Sequence, residues 1–199
     1  MEEYMHCRWT KSFYREMLIS LLSTGTVLAA APYPASDYIA SVNWNWSSHK
    51  RECPGSDNWA ITWADDGHQY ATWGDGGGFG GTNSNGRVSL GFARIENSVD
   101  NYKGYNVWGG KNPENSATFG GKSYGIISIG GVLYAWVGPG SGTTSYDHLK
   151  MCKSTNHAAS WQRSSWEIRK SDKLIMPTIC NFGKDYAGAR DNYVYHYFI

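Results

Sequence analysis

Two aspartates, Asp57 and Asp75, flank a stretch whose residue pattern brings them toward one another. Trp59, Ile61 and Trp63 alternate with smaller residues, Asp66-Gly67 supplies a turn, and Tyr70-Ala71-Thr72-Trp73 resumes an extended pattern. The stretch predicts a β-hairpin with one carboxylate where the first strand starts and another where the second ends. Paired carboxylates are the machinery of glycoside hydrolysis: one protonates the leaving oxygen, and the other activates water or attacks the sugar. Trp59, Trp63 and Trp73, with Tyr124 further on, are residue types on which sugar rings stack, and Asn58, Lys122 and Arg190 offer polar contacts. The competing reading is that an Asp beside Gly at a strand end only forms a turn.

Register decides whether the carboxylates meet. A two-residue turn at Asp66-Gly67 sets Asp57 opposite Gly76 and puts the two aspartates on opposite faces of the sheet. A three-residue turn centred on Asp66 sets Asp57 opposite Asp75 on one face, where mutual repulsion would raise one of them toward the range of a general acid. The glycine run from Gly76 to Gly81 reads as a mobile loop beside them. Its Gly-x-Gly-x-x-Gly spacing is not a dinucleotide fingerprint, because a strand pattern follows it and no helix N-terminus is offered to a pyrophosphate. No Gly-x-Ser-x-Gly nucleophile elbow occurs in a strand-to-helix setting.

The chain that must position these residues has 199 of them, 15% aromatic, with 24 Gly and a net charge of +1. Abundant Gly and aromatic residues suit short twisted strands and tight turns, and a near-neutral chain without basic runs leaves no footprint for nucleic acid. Residues 1–31 read as a signal peptide: Arg8, Lys11 and Arg15 precede an apolar run from Met17 to Ala31, and Ala29-Ala30-Ala31 offers small residues for cleavage. That run is shorter than the roughly 20 residues of a membrane span. The expectation is a secreted or periplasmic protein with no membrane anchor after cleavage. Cys7 falls in the leader, and Cys53, Cys152 and Cys180 remain; Cys152 and Cys180 could pair, or all three could be buried thiols. No Cys or His spacing suits a zinc site, and no motif calls for a cofactor.

Residues 32–52 read as a leading strand, with Val42, Trp44 and Trp46 alternating, and a linker. From residue 53 onward the hairpin recurs. Arg87 to Ile95 reads as a third strand and Asn97 to Phe119 as a long loop. Ser123 to Gly138 then repeats the hairpin, with Tyr-Ala-x-x-Gly at Tyr70 and again at Tyr134. A third copy runs from Pro177 through Ala189-Arg190-Asp191 to Phe198. A strand meander repeated about every 60 residues, with no helix between copies, predicts an all-β fold of β-propeller type over 53–199. Two and a half to three copies fall short of the roughly 4 to 8 blades of a closed ring.

Ser154-Thr-Asn-His-Ala-Ala-Ser-Trp161 resembles, in degenerate form, the Asp-box turn of sialidase-like propellers. Gly55-Ser-Asp-Asn-Trp59, Trp63-Ala-Asp-Asp66, Trp73-Gly-Asp-Gly-Gly77, Arg87-Val-Ser-Leu-Gly91 and Asn181 to Asp191 together resemble the secreted bacterial domain-of-unknown-function 4185 group, over about Val42 to Ile199. The resemblance implies a five-bladed, carbohydrate-active propeller of a type that includes arabinan-cleaving glycoside hydrolases. This chain would hold its first half, the missing blades coming from the rest of a longer chain. Asp57 and Asp75 are then the catalytic candidates, and Asn58, Trp59, Trp73, Lys122, Tyr124 and Arg190 the carbohydrate contacts. Lys122-Ser123 and Pro177-Thr178 stand where further blades would carry acids, so a three-carboxylate set is absent. Arg87, Arg94 and Arg190 do not make a sialidase triad, and Arg94 reads as a solvated residue on a strand face. The alternatives to a hydrolase are a non-catalytic carbohydrate-binding propeller and an inactive fragment.

Overall fold

In the computed structural model of the chain, residues 34–116, 120–138 and 147–198 are described; the leader expected over 1–31 lies outside them. The chain divides into two units, one ending at His49 and one beginning at Lys50. In the first unit, residues 34–49 contain no strand. Val42, Trp44 and Trp46 belong to no strand and their side chains are exposed, which corrects the leading strand expected there. A single 3-10 turn, Trp46–Ser48, is held by the Asn45 side chain, which accepts from Ser47 N at 3.2 Å.

The second unit is all-β, with no α-helix among the described residues, and none of these residues forms a helix long and apolar enough to cross a membrane. Its first sheet is an antiparallel meander of β1 (Asp57–Trp63), β2 (Gln69–Gly74), β3 (Gly91–Glu96) and β4 (Lys103–Trp108) in sequence order. The third strand therefore starts later than the alternation from Arg87 suggested; Val88 makes only an isolated bridge to Gly76. Strand β4 lies inside the stretch read as a long loop. Its Gly104 and Asn106 are weak strand formers, but each is used: a methyl group at Gly104 would lie 2.1 Å from the Phe79 ring, and the Asn106 amide ties down two loops.

The second sheet repeats the meander with β5 (Ser123–Ile129), β6 (Val132–Val137), β7 (His148–Ser154) and β8 (Gln162–Arg163), while β9 (Ile168–Arg169) pairs with the other end of β7. A third, two-stranded element joins β10 (Thr178–Ile179) to β11 (His196–Tyr197). The residues resembling an Asp-box form the turn between β7 and β8. Ser154 Oγ accepts from Ala158 N at 3.0 Å, Asn156 Oδ1 accepts from Ser160 N at 2.9 Å, and the Trp161 ring sits 4.4 Å from that of Phe92 in the first sheet.

Alternation gives each sheet two apolar faces, so the sheets stack. Tyr70 and Phe92 of the first sheet and Ile126 and Leu133 of the second are at most 1% exposed in one cluster, and burying each such side chain stabilises by about 1.5–3 kcal/mol. On the other side of the second sheet, Ile127, Trp136 and Leu149 pack with Ile179 of the third. Polar atoms lock the stack. Thr62 Oγ1 donates to Asn181 Oδ1 at 2.7 Å and accepts from Ser128 N at 3.0 Å, while Asp185 accepts from Ser128 Oγ at 2.8 Å and from Gly131 N. Cys53, Cys152 and Cys180 are free thiols, so Cys152 and Cys180 do not pair.

Candidate functional site

The first hairpin settles the register. Ala64 N donates to His68 O, which leaves Asp65, Asp66 and Gly67 as a three-residue turn, and Thr62 faces Tyr70. Carried to the strand ends, that register would set Asp57 opposite Asp75. A β-bulge intervenes between Asp57 and Ala60: Asn58 takes a left-handed backbone (φ 56°), and Asp57 comes to face Gly74. The same-face pairing of the two aspartates, expected from a three-residue turn, is therefore displaced by one residue, because a bulge adds a residue to one strand only.

Gly74 is where the site converges. A methyl group placed on it would lie 3.0 Å from Asp57 Oδ1 and 3.5 Å from Lys122 Nζ, so the absence of a side chain lets both groups close over the backbone. Asp75 follows in a left-handed conformation (φ 56°) that a non-glycine residue adopts only when held. Two cations hold it: Lys122, immediately before β5, makes a close ion pair with Asp75 Oδ2, and Arg87 Nη2 lies 3.5 Å from Oδ1 while its other nitrogen donates to the Asp75 carbonyl and to Asn83. The Lys122 contact is an ion pair without an aligned hydrogen bond, and the ammonium itself is shut off from solvent. The Asp57 carboxylate makes no hydrogen bond or ion pair among the described residues and is exposed. The ends of β1 and β5 thus present one free carboxylate, one carboxylate committed to cations, and those two cations.

The glycine run beside this cluster is not the mobile loop that its composition suggests. Asn106 Nδ2 donates to Phe79 O at 3.0 Å and to Lys111 O at 2.7 Å, and its Oδ1 accepts from Phe79 N at 2.9 Å. Gly78 N donates to Ser56 Oγ, and the Trp73 indole N–H donates to Gly76 O.

The other expected contacts are scattered. Trp73 is 1% exposed, stacked on Trp59 with centroids 5.4 Å apart, so it is a core residue and not a sugar platform. Tyr124 is half-buried in the cluster between the second sheet and the third hairpin. Arg190 stands in the exposed turn before β11, its guanidinium 4.7 Å from the Tyr195 ring centroid and paired with Asp191. Arg94, expected to be solvated, grips Glu114 with two hydrogen bonds and Glu96 with a third. Trp59 and Trp63 line a cleft of about 600 Å³ on the outer face of the first sheet, with Phe79, Ile95 and Tyr102. At its edge Glu52 accepts from Tyr102, whose phenol is raised by burial and then by that carboxylate.

At the opposite end of β1, Asp65 and Asp66 meet His157 of the β7–β8 turn. Their ligand-type atoms lie within 4.8 Å of one another, the one such group among the described residues. His157 Nε2 is 2.8 Å from Asp65 Oδ1, and this hydrogen bond holds the Asp65 carboxyl below its usual range; Asp66 meanwhile accepts from Tyr70 OH and His68 N. The group reads as a clasp between the first two sheets. Sequence reasoning missed it, along with the roles of Arg87 and Asn106, because in each case a deciding partner is distant in the chain: His157 lies 92 residues from Asp65, Asn106 27 from Phe79 and Arg87 12 from Asp75. No protein-family model matches this sequence, and a search of curated proteins returns no match.

Proposed function

We propose that this chain is a carbohydrate-active protein of glycoside hydrolase type, built on propeller-like stacked meanders, with its reactive centre at the paired ends of β1 and β5. The observation that carries the reading is the convergence on Gly74 of the unpartnered Asp57 carboxylate and the Asp75–Lys122–Arg87 group. Asp57 is free to take or give a proton to a glycosidic oxygen or a water, the step that needs a positioned carboxyl group. Asp75 is the second carboxylate, fixed in direction by its two cations. Two carboxylates and two cations leave the cluster without net charge, which suits a neutral glycan better than a uronate. The order of the sheets, each an antiparallel meander packed on the next, supports the propeller arrangement, with the five-bladed number resting on the family resemblance. The leader-like sequence supports export.

The test is reducing-sugar release from a panel of neutral polysaccharides, arabinans included, by the wild type and by Asp57→Asn. Loss of positioned proton transfer costs about 10²–10⁴-fold in rate. Release that persists undiminished in Asp57→Asn would remove Asp57 from the chemistry. A second reading, glycan binding without catalysis at the same mouth, is favoured by the commitment of Asp75 to Lys122 and Arg87. It predicts no release from any polymer but retarded migration in gels containing one of them.

A further inference from the structure

Small side chains on the outer face of the first sheet make room for a layer of rings. Ala71 and Ala93 are buried there, and Trp59, Trp73 and Phe79 pack over them. Trp59 stacks on Trp73 and meets Phe79 edge to face with centroids 5.7 Å apart, so its ring is held by two others. Trp63, on the same strand, is pinned by its indole N–H, which donates to Gly67 O at 3.1 Å. The cleft of about 600 Å³ opens over this layer, and Tyr102 adds a fourth ring to Trp59, Trp63 and Phe79 in its lining. The one charged side chain lining it is Glu52, which accepts from the Tyr102 phenol and has no ion-pair partner among the described residues. Lys50 is engaged beside it: its ammonium donates to Asp100 O at 3.2 Å and lies 5.4 Å from the Tyr102 ring centroid. The chain's own ammonium thus already rests on one ring of the cleft. Groups that would read sugar hydroxyls are largely spent within the chain, the Trp63 N–H on Gly67, the Tyr102 phenol on Glu52 and the Ser98 hydroxyl on Asn101 Oδ1 at 2.8 Å.

We propose that this cleft binds a small organic cation of the alkylated ammonium type, its charge against Glu52 and its methyl groups against the rings of Trp59, Trp63 and Tyr102. The negative faces of aromatic rings and a carboxylate attract the same positive centre. Alkylation replaces N–H donors, which a wall of rings would leave unpaired, with methyl groups that such a wall suits. The volume is that of a small-molecule site, so room remains for a substituent beyond the ammonium, with the side-chain amides of Gln69 and Asn97 as its polar contacts. The inference does not rest on the hydrolase reading, since none of Asp57, Gly74, Asp75, Arg87 and Lys122 lines the cleft.

Isothermal titration calorimetry of the full chain at constant ionic strength tests it, with choline as the probe and neohexyl alcohol, its uncharged carbon isostere, as the control. Choline is expected to bind about tenfold or more tightly than the alcohol. Glu52→Gln, a change at an exposed residue, is expected to cut that preference to about threefold or less, because the ring faces alone then favour the charge. Trp63→Leu is expected to abolish choline binding while keeping the far-ultraviolet circular dichroism of the parent. Equal affinities for choline and the alcohol, no binding of choline up to about 50 mM, a preference indifferent to Glu52→Gln, or choline binding unchanged in a folded Trp63→Leu protein would overturn the inference. A neutral oligosaccharide bound more tightly than choline, with that binding lost in Trp63→Leu, would also overturn it and give the cleft to a sugar.

Discussion

Thr62→Val removes one hydroxyl and keeps the shape of the side chain. That hydroxyl is 3% exposed in its residue, donates to Asn181 Oδ1 at 2.7 Å and accepts from Ser128 N at 3.0 Å, so a single atom joins the first sheet, the second sheet and the third hairpin. Its loss leaves the buried Ser128 N–H without a partner, at a cost of about 1–3 kcal/mol, while Asn181 is an exposed residue whose oxygen water can reach. Asn181 also keeps its amide contact to Ile126 O at 3.3 Å, so the Ser128 N–H carries most of the loss, about 1–3 kcal/mol. For a domain of this size each kcal/mol lowers Tm by about 2–4 °C, so the variant should melt about 2–12 °C below the wild type. Urea denaturation followed by tryptophan fluorescence measures the free energy directly, and Thr62→Val combined with Asn181→Leu isolates the pair, with an expected coupling of about 0.5–3 kcal/mol. A Thr62→Val protein within about 0.5 kcal/mol of the wild type, or a double variant whose losses simply add, would refute the claim that this hydroxyl ties the three elements.

His196 accepts from the Trp136 indole N–H at 3.1 Å and its pKa is lowered by burial. The unfolded chain therefore takes up the proton first, and stability should be complete above the ordinary histidine value of about 6.5 and fall as pH drops through the lowered value; thermal melts at successive pH values should lose this component of the slope in His196→Gln. Burial pushes the Cys53 thiol up to about 12 and the Cys152 thiol up to about 11, so maleimide at pH 7.5 should label Cys180 first, and rapid labelling of Cys152 in the folded protein would contradict its placement. Gly91→Ala would set a methyl group 2.2 Å from the Trp73 ring; overpacking of this kind costs about 1–3 kcal/mol, read by urea titration, with a change in near-ultraviolet dichroism as the indole moves.

The hairpins were legible because their signals are local: alternation over Trp59 to Trp63, the Asp66-Gly67 turn and the repeated Tyr-Ala-x-x-Gly all act between neighbours in the chain. Strand β4 was not, since Gly104 and Asn106 break the strand composition for the sake of Phe79 and the glycine run, partners 25 or more residues away. The two candidate aspartates were legible as residue types, but not their geometry. Alternation cannot reveal the bulge at Asn58, which moves Asp57 opposite Gly74, and no local pattern shows Lys122 reaching Asp75 across the gap between two sheets. Trp73 failed as a sugar platform for a related reason: a strand tryptophan reads the same from sequence whether its ring meets solvent or, as here, lies beneath Trp59.

Asn106 decides how the mouth would meet a ligand. One side chain 4% exposed bonds the carbonyls or amides of Gly77, Phe79 and Lys111, fixing residues that would otherwise be among the freest of the chain. The loss of their freedom belongs to folding and not to recognition, so under the proposed function a glycan would dock on a preorganised rim with no closing step and little ordering entropy to overcome. Amide hydrogens of 76–81 should exchange at the same rate with and without bound glycan, and association should proceed in one kinetic phase at every ligand concentration.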